Sequence, residues 1–445
     1  MNLYRLLSAR AEAGNPVRVG VIGAGKFGSM FLSQALRTPG MQVMAVADLD
    51  VDRAKAALAY VHWQAEQYAA RSFEEARTSG GCHVTQDSMA LIAADGLDVV
   101  VDATGSPAAG IRHALAAIEH GRHMIMVNVE ADVLAGPLLA SKARQAGVVY
   151  SMAYGDQPAL IAEQVDWARA IGLEVIAAGK GTRYQPRFHQ STPATVWDHY
   201  GISAADAQSG NLNPQMFNSF LDGTKSGIEM AAVANACGLT PPKDGLAFPA
   251  VGFNEFAQKL IPKADGGLLE GRGMVEVVAS EARDGSPLPD DLRWGVYVTF
   301  DGETDYVKEC FGQYGVLTDA SGRYAALWRP YHLIGLELGI SVASAALRGE
   351  PTGCAEAFRG DVVATAKLAL KAGTMLDGEG GYTVWGKLMP AADSLAMGGL
   401  PIGLAHGVTL KRDVAEGELI AWEDVVFDAA DPTIAFRREM ERAFA

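Results

Sequence analysis

The chain has 445 residues, of which 49% are hydrophobic, and a formal net charge of −15. This length exceeds what one small hydrophobic core holds, so we expect two or three domains. The acidic charge would repel a phosphate backbone, which argues against nucleic-acid binding.

Membrane insertion and secretion are not expected either. No apolar run reaches the length of a membrane-spanning helix, and the first ten residues lack the basic and apolar regions of a signal peptide. The four cysteines are scattered without a CxxC pair: Cys82, Cys237, Cys310 and Cys354. We therefore expect a cytoplasmic protein with reduced thiols.

Short apolar runs alternate with amphipathic segments in the first third of the chain. Residues 17–23 (VRVGVIG) predict a buried strand and residues 26–36 a helix. Further strands are expected at 42–48, 97–104, 123–129 and 148–152. Continuous Val/Ile runs are typical of strands covered on both faces. The pattern predicts an α/β fold with an N-terminal Rossmann domain, a doubly wound parallel sheet, at residues 1–155.

After residue 155 the pattern of predicted helices and strands changes. A helix at 159–172 and a strand at 173–182 precede a helix-like stretch at 218–237, strands at 293–300, 305–311 and 323–328, and a helix at 332–349. We expect an α+β catalytic and dimerisation domain at 156–355, with the last helix able to pack back on the Rossmann domain. Two similar segments, 364–378 and 407–422, predict a small β-rich domain at 356–445.

The stretch GAGKFG (residues 23–28) follows a predicted strand and opens a predicted helix. In that context Gly23 permits a tight turn, Gly25 admits a pyrophosphate, and Gly28 allows close helix–strand packing. The helix N-terminus attracts the anion. The predicted cofactor-binding residues, including those of the later loop DATGSP, are Gly23, Gly25, Lys26, Phe27, Gly28, Asp48, Arg53, Thr104 and Gly105.

The nucleotide preference stays open from these residues. Asp48 lies where an acid would hold the adenosine ribose hydroxyls, which favours NAD. Arg53 and Lys55 follow closely and can instead receive the 2′-phosphate of NADP. As an alternative, both are solvated charges on the next helix.

Lys180 lies near the end of a predicted strand in AAGKGTRYQPRFH, followed by Arg183, Arg187 and His189. Ligands of open α/β sheets bind beyond the carboxyl ends of strands, so these groups predict an anion site, with phosphate favoured. The alternative is a basic, solvated loop.

Lys225 lies between Asp222 and Glu229 at helical spacing, so we expect all three on one face of a helix. A surface ion network is one interpretation. The helix is strongly apolar, however, and a buried charge must be paired or used. We therefore interpret Lys225 as a cation that polarises a carbonyl, with the two acids moving protons or holding a metal.

The candidate active-site residues fall into two groups. The catalytic candidates are Lys225, Asp222, Glu229 and Lys180. The substrate-binding candidates are Arg183, Arg187, His189, Asn218, Ser219, Thr224, Ser226, Arg329 and His332. No HExxH, clustered Cys/His or GxSxG motif supports a zinc or serine hydrolase.

Several motifs together resemble one family. They are VGVIGAGKFG, DATGSP, NVEADVLAGPLLA, AGKGTRY, SFLDGTKSGIEM, LRWGVYV, RPYHLIGLELGISVA and LPIGLAHGV. Over about residues 15–425 the chain is similar to homoserine-dehydrogenase-like oxidoreductases that end in a SAF (antifreeze-like) domain. Within these it most resembles the bacterial 1-deoxy-D-xylulose 5-phosphate reductoisomerase-like enzymes.

The resemblance implies a homodimeric, NADPH-dependent reductoisomerase that makes 2-C-methyl-D-erythritol 4-phosphate for isoprenoid biosynthesis. It implies a small phosphorylated substrate and raises the possibility of Mg²⁺ or Mn²⁺. The three-acid metal motif of conventional reductoisomerases is not recognisable here, so the metal ligands stay unknown, with Asp222 and Glu229 as candidates for two of them.

Two alternatives remain open. One is a homoserine-dehydrogenase-like oxidoreductase that acts on another polyol, hydroxyaldehyde or sugar derivative. The other is a regulatory or scaffold protein that binds the cofactor without turning over a substrate.

Overall fold

The structure is a computed structural model and describes residues 2–210 and 212–444. The chain forms two compact units. Unit 1 comprises the residues up to Leu160 together with His332–Glu356, and unit 2 comprises Ile161–Tyr331 and the residues from Ala357 onward.

Unit 1 is built on a six-stranded parallel sheet with the strand order β3-β2-β1-β4-β5-β6. The strands are β1 (Val17–Ile22), β2 (Met41–Ala47), β3 (His83–Thr85), β4 (Val99–Asp102), β5 (His123–Met126) and β6 (Tyr150–Met152). The side chains of Val19, Val101 and Ile125 are fully buried. Strands covered on both faces carry apolar runs rather than an alternating pattern. The predicted Rossmann fold is confirmed.

Eight helices accompany this sheet in the described part of unit 1. They are α1 (Leu3–Glu12), α2 (Lys26–Ala35), α3 (Val51–Tyr60), α4 (Phe73–Ser79), α5 (Ser88–Ala93), α6 (Pro107–Glu119), α7 (Val129–Gln145) and α15 (Gly339–Arg348). A further helix, α8 (Gln157–Ala170), begins in unit 1 and continues in unit 2.

The helix predicted at 332–349 begins seven residues late, at Gly339. The reason lies at Gly335, which has a positive φ of 76°. A Cβ atom at this position would lie 2.7 Å from the Cβ of Met30. Tight packing and left-handed backbone therefore interrupt the helical pattern before α15.

Unit 2 contains a four-stranded sheet with the order β10-β9-β7-β8. Its strands are β7 (Glu174–Thr182), β8 (Met274–Ala279), β9 (Val296–Asp301) and β10 (Tyr324–Arg329). Strand β7 pairs in parallel with β8 and antiparallel with β9, so it is a central strand of a mixed sheet. A buried charged side chain on β7 therefore requires an oppositely charged or hydrogen-bonding partner within unit 2.

The remaining helices of this part are α9 (Val196–Tyr200), α10 (Ala204–Ser209), α11 (Pro214–Leu221), α12 (Thr224–Cys237), α13 (Phe256–Lys259) and α14 (Asp305–Gln313). The strand predicted at 305–311 is wrong, because this segment forms α14. Thr304 caps the helix by accepting a hydrogen bond from the amide of Val307 at 3.3 Å. Val307 and Phe311, one helical turn apart, both pack near Gly302.

The helical stretch predicted at 218–237 is divided in two. Helix α11 ends at Leu221 and α12 begins at Thr224, with Asp222 and Gly223 between them. Gly223 has a φ of 91°, a left-handed conformation that glycine adopts without a Cβ penalty. Asp222 therefore lies outside α12. Contrary to the expectation, it does not share a helical face with Lys225 and Glu229.

The C-terminal part of unit 2 is rich in short strands. They are β11 (Gly360–Ala366), β12 (Met375–Asp377), β13 (Val384–Pro390), β14 (His406–Leu410) and β15 (Val425–Val426), with helices α16 (Ala391–Met397) and α17 (Pro432–Phe444). The two similar segments at 364–378 and 407–422 run antiparallel to each other, since Met375 lies opposite Thr409 and Leu370 opposite Val414.

Within the described residues, the helices all fall short of the length and apolarity required to cross a membrane.

Candidate functional site

The glycine-rich turn of unit 1 joins β1 to α2. Gly23 has a φ of 98°, and a Cβ atom there would lie 2.7 Å from the carbonyl oxygen of Ala103. A Cβ on Gly28 would lie 2.3 Å from the carbonyl oxygen of Gly23, whereas Gly25 faces open space. The turn is thus closely packed at Gly23 and Gly28 and open at Gly25. This arrangement admits a pyrophosphate to the N-terminus of α2.

Asp48, at the end of β2, is engaged inside the protein. Its Oδ2 accepts the amide of Ala24 at 2.8 Å, and its Oδ1 accepts the amide of Asp50 at 3.0 Å and the guanidinium of Arg53 at 2.6 Å. Burial alone would raise the pKa of Asp48, but these backbone and side-chain donors bring the pKa below its usual value. Through its bond with the amide of Ala24, the Asp48 carboxylate therefore stabilises the glycine-rich turn.

Arg53 forms an ion pair with Asp48 and lies on its solvent-exposed side. Its side chain is 61% exposed while that of Asp48 is 2% exposed. Of the two groups proposed for the adenosine ribose, the guanidinium is the one that faces solvent. This exposed guanidinium lies in the first turn of α3, the helix that follows β2.

The predicted second cofactor loop follows β4. Asp102 Oδ1 accepts both the amide of Thr104 at 3.0 Å and its hydroxyl at 2.8 Å. Gly105 is exposed, and a Cβ there would meet no atom within 4 Å. Lys26 is exposed and Phe27 half-buried at the start of α2. The two predicted cofactor-binding segments thus follow the carboxyl ends of β1 and β4, which are neighbouring strands of the sheet.

In unit 2 the ammonium of Lys180 on β7 forms an ion pair with Glu229 on α12. The two side chains are 8% and 6% exposed. Within residues 2–210 and 212–444, Glu229 is the one acceptor in contact with this ammonium. A lysine has three N–H donors, so a buried lysine with one partner retains unused donor capacity.

Asp222 pairs with a different lysine. Its Oδ2 lies 2.8 Å from the ammonium of Lys367, which also donates to the carbonyl oxygens of Ser191 at 2.7 Å and Gly381 at 2.8 Å. Burial raises the pKa of Asp222, against the opposing effect of Lys367. Lys367 was not among the candidates, because nothing in its local sequence indicates a partner so distant along the chain.

The two carboxylates suggested as metal ligands do not fit that role. Asp222 and Glu229 are each in contact with a lysine ammonium, which would repel a divalent cation. Across the residues described, no group of three or more His, Cys, Asp or Glu side chains that could hold a metal is found.

His189 is fixed by three neighbours. Its Nδ1 lies 2.7 Å from the carbonyl oxygen of Asp222, its Nε2 lies 2.8 Å from the hydroxyl of Tyr184, and its ring stacks on Trp385 at 3.9 Å. A carbonyl only accepts, so Nδ1 carries the hydrogen and the Tyr184 hydroxyl donates to Nε2. Burial lowers the pKa of His189 to about 4, which keeps the ring neutral at pH 7.

A cavity of about 240 Å³ lies beside this ring, lined by His189, Gly227, Phe248, Trp385, Lys387 and neighbouring residues. Successive residues of an α-helix are about 100° apart, so Gly227 and Glu229 point to nearly opposite sides of α12. The cavity and the Lys180–Glu229 pair therefore lie on different faces of this helix.

The two arginines predicted to bind an anion differ. Arg183 donates to Glu281 at 2.6 Å and to the carbonyl oxygen of His199, so its guanidinium is used inside unit 2. Arg187 is exposed. The predicted cluster at 180–189 is thus dispersed: Lys180 pairs with Glu229, Arg183 with Glu281, and His189 is neutral.

The other candidates of unit 2 are mostly buried. The amide of Asn218 donates to the carbonyl oxygens of Ser191 at 3.0 Å and Gly380 at 2.9 Å, and Thr224 Oγ1 accepts the amide of Gly386 at 2.8 Å. The Ser219 hydroxyl donates to the carbonyl oxygen of Met216. The Asn218–Gly380 and Thr224–Gly386 contacts join α11 and α12 to the C-terminal part of unit 2.

The last candidates are not gathered at one point. Ser226 is buried and Lys225 is half-buried. The Arg329 guanidinium stacks over the ring of Tyr331, and the two residues belong to unit 2, whereas His332 belongs to unit 1.

Two family models match the chain. Residues 20–152 match the NAD-binding domain of homoserine dehydrogenase, and residues 155–338 match the catalytic domain of oxidoreductase DRL. Neither match extends past residue 338. Among curated proteins no match is found. The two matches support an oxidoreductase that uses a nicotinamide cofactor; reductoisomerase activity, a SAF domain and a homodimer rest on the sequence resemblance alone.

Solved structures with partial likeness include myo-inositol dehydrogenase from Lactobacillus casei, at 19% identity and a TM-score of 0.28, over 41% of this chain and 50% of that one. A probable dehydrogenase from Thermotoga maritima matches at 13% identity and a TM-score of 0.37, over 75% and 90%. The present chain thus spans about half of the first of these proteins. At such TM-scores these likenesses do not bear on fold or function.

Proposed function

We propose that this protein is an NADPH-dependent oxidoreductase that reduces the carbonyl group of a small hydroxylated compound, such as a hydroxyaldehyde or a sugar derivative. The observation that carries the proposal is the buried Lys180–Glu229 pair, which lies in the segment that matches an oxidoreductase catalytic domain. Its ammonium retains donors that the described residues leave unused.

The reduced nicotinamide supplies the hydride in this chemistry. The carbonyl oxygen becomes an alkoxide as the carbon is reduced, and Lys180 donates a hydrogen bond to that oxygen and then a proton. Glu229 stabilises the ammonium before the transfer. After the forward step Lys180 is a neutral amine, and a proton from water restores the ammonium beside Glu229. In the reverse direction the neutral amine takes the proton from the alcohol, and the ion pair with Glu229 forms again.

The nucleotide preference is part of the proposal. Asp48 is held by backbone amides and by Arg53, which leaves the exposed guanidinium to contact a 2′-phosphate. We expect Arg53→Ala to weaken NADPH binding at least about tenfold, since a hydrogen bond to a charged group is worth about 1.5–3 kcal/mol. NADH affinity should change less than about twofold. Fluorescence titration with both nucleotides measures this, and equal losses would remove the preference.

The reductoisomerase reaction is a narrower form of the same proposal. It would add a carbon–carbon rearrangement before reduction and requires a phosphorylated deoxyketose. Arg183 already pairs with Glu281, so Arg187 is the predicted arginine that remains exposed for a phosphate. Because Arg183 is already paired, the predicted phosphate site is reduced to one arginine, which favours an unphosphorylated substrate.

The testing experiment follows NADPH absorbance with a panel of hydroxyaldehydes, ketoses and sugar derivatives. 1-Deoxy-D-xylulose 5-phosphate is included with and without Mg²⁺ or Mn²⁺. Turnover of an unphosphorylated carbonyl compound supports the main proposal, and turnover of the deoxyketose phosphate alone supports the narrower one. Tight NADPH binding without turnover of any member would support a cofactor-binding regulatory protein instead.

A further inference from the structure

The loop that follows β4 is held by one buried carboxylate. Asp102 is 0% exposed, and its Oδ1 accepts both the amide and the hydroxyl of Thr104. On the other side of the loop, the amide of Asn128 donates to the carbonyl oxygen of Ser106 at 2.8 Å. The conformation of Thr104 and Gly105 thus depends on where the Asp102 carboxylate points.

This loop forms one wall of the glycine-rich turn. The amide of Ala103 donates to the carbonyl oxygen of Ile22 at 2.8 Å, and Gly23 packs so closely on Ala103 that a Cβ would lie 2.7 Å from its oxygen. A shift of residues 103 and 104 would therefore displace the turn that faces the cofactor pyrophosphate.

A histidine and a serine complete the support. Asp102 Oδ2 lies 2.6 Å from Nδ1 of His113 on α6, and Nε2 of His113 lies 2.9 Å from the hydroxyl of Ser88 at the start of α5. His113 is 3% exposed. Since a carboxylate only accepts, Nδ1 is the donor to Asp102. The chain of contacts runs from Ser88 through His113 and Asp102 to Thr104.

We infer that His113 and Ser88 are positioning residues for the nicotinamide cofactor, acting through Asp102 on the Thr104–Gly105 loop. Neither residue lies in the glycine-rich turn or the DATGSP loop, so no sequence motif points to them. The inference rests on cofactor binding by unit 1 and not on the reaction proposed for Lys180, so its test measures binding rather than turnover.

Two conservative substitutions separate positioning from packing. In His113→Asn the side-chain amide can take the place of Nδ1 and still donate to Asp102, whereas in His113→Gln the amide reaches toward Ser88 and the Asp102 contact is lost. We expect the Kd for NADPH to rise about tenfold in His113→Gln, which corresponds to about 1.4 kcal/mol. It should stay within about threefold of wild type in His113→Asn and rise only slightly in Ser88→Ala.

The full-length variants would be titrated with NADPH by fluorescence, with Tm recorded for each. His83→Gln is the control, because His83 is a half-buried histidine of unit 1 whose Nδ1 contacts the carbonyl oxygen of Ala70 at 2.8 Å. Equal Kd values for His113→Gln and wild type, or equal losses in the Gln and Asn variants, would overturn the inference.

If His113→Gln does not fold, the same contact is tested from the loop side. Thr104→Val removes the hydroxyl that donates to Asp102, and Thr104→Ser restores it. Weaker NADPH binding in the Val variant with recovery in the Ser variant supports the positioning chain. Unchanged binding in both variants overturns it.

Discussion

Two buried lysines of unit 2 pair with carboxylates, one in the α11–α12 junction and one on α12, and they differ in how many acceptors surround them. Lys367 contacts Asp222 and two backbone carbonyl oxygens. Lys180 contacts Glu229 alone among the described residues. An ammonium has three donors, so the donors of Lys367 are more fully used than those of Lys180.

This difference separates a structural charge from a candidate working charge. An ammonium surrounded by several acceptors gains little from a ligand, and removing it leaves those buried acceptors without a partner. An ammonium with unused donors can bind a developing negative charge without first breaking existing bonds. This difference supports the proposal that Lys180 acts in catalysis, whereas Lys367 contributes to stability.

The largest effect is expected for Lys180→Met. This variant should lower kcat/KM for the best substrate of the panel by about 10²–10⁴-fold, the range of a lost general acid. The Kd for NADPH should stay within about twofold, because the glycine-rich turn belongs to unit 1 and Lys180 to unit 2. Stopped-flow or steady-state absorbance at saturating NADPH measures the loss, and fluorescence titration measures the Kd.

Lys243→Met is the control for the previous variant, since Lys243 is exposed in a loop of the same unit. A Lys180→Met protein with wild-type kcat/KM would break the assignment. So would a Lys243→Met protein that loses as much activity.

Lys367→Met should act on stability instead. Breaking a buried ion pair typically costs about 3–5 kcal/mol of unfolding free energy, because the remaining charge stays uncompensated. Part of this loss should return in the double variant Lys367→Met/Asp222→Asn, in which the orphaned carboxylate is also removed. Urea unfolding followed by circular dichroism measures both. A smaller loss for Lys367→Met than for Lys180→Met would contradict the comparison.

The pH dependence of the Lys367 region is set partly by His189. Burial lowers the pKa of His189 from 6.5 to about 4, so the unfolded chain binds more protons between these values. The contribution of the neutral ring is complete above pH 6.5 and is lost as the pH falls toward 4. Wild type should lose on the order of 3 kcal/mol relative to His189→Asn over this window.

Urea unfolding of both proteins at several pH values measures the difference, in which the other titrating groups cancel. Parallel curves for wild type and His189→Asn would show that the ring already titrates normally in the folded protein.

The smallest effect is expected for Arg187→Ala. Because Arg187 is exposed, KM for an unphosphorylated carbonyl compound should change less than about twofold. A clear rise in KM that appears only with phosphorylated substrates would favour the reductoisomerase form of the proposal. The measurement is a KM comparison across matched phosphorylated and unphosphorylated pairs.

Local features of the fold were predictable from sequence. Five of the six strands of unit 1 are predictable because apolar runs distinguish buried parallel strands, whereas the three-residue β3 is missed. The glycine turn is predictable because its glycines follow a strand and open a helix. Errors occurred where tertiary packing decides the local conformation. Residues 305–311 read as a strand but form a capped helix, and the helix expected from residue 332 begins at Gly339.

The sequence by itself determined the Rossmann sheet, the glycine-rich turn and the charged residue types on α12, since these depend on periodicity and on neighbours a few residues apart. Only the tertiary structure decided which charges meet. The sequence predicts Asp222, Lys225 and Glu229 on one face of a helix, yet the two acids pair with Lys367 and Lys180. Ion pairs form between groups that folding brings close in space, and one-dimensional spacing carries no information about partners from other strands.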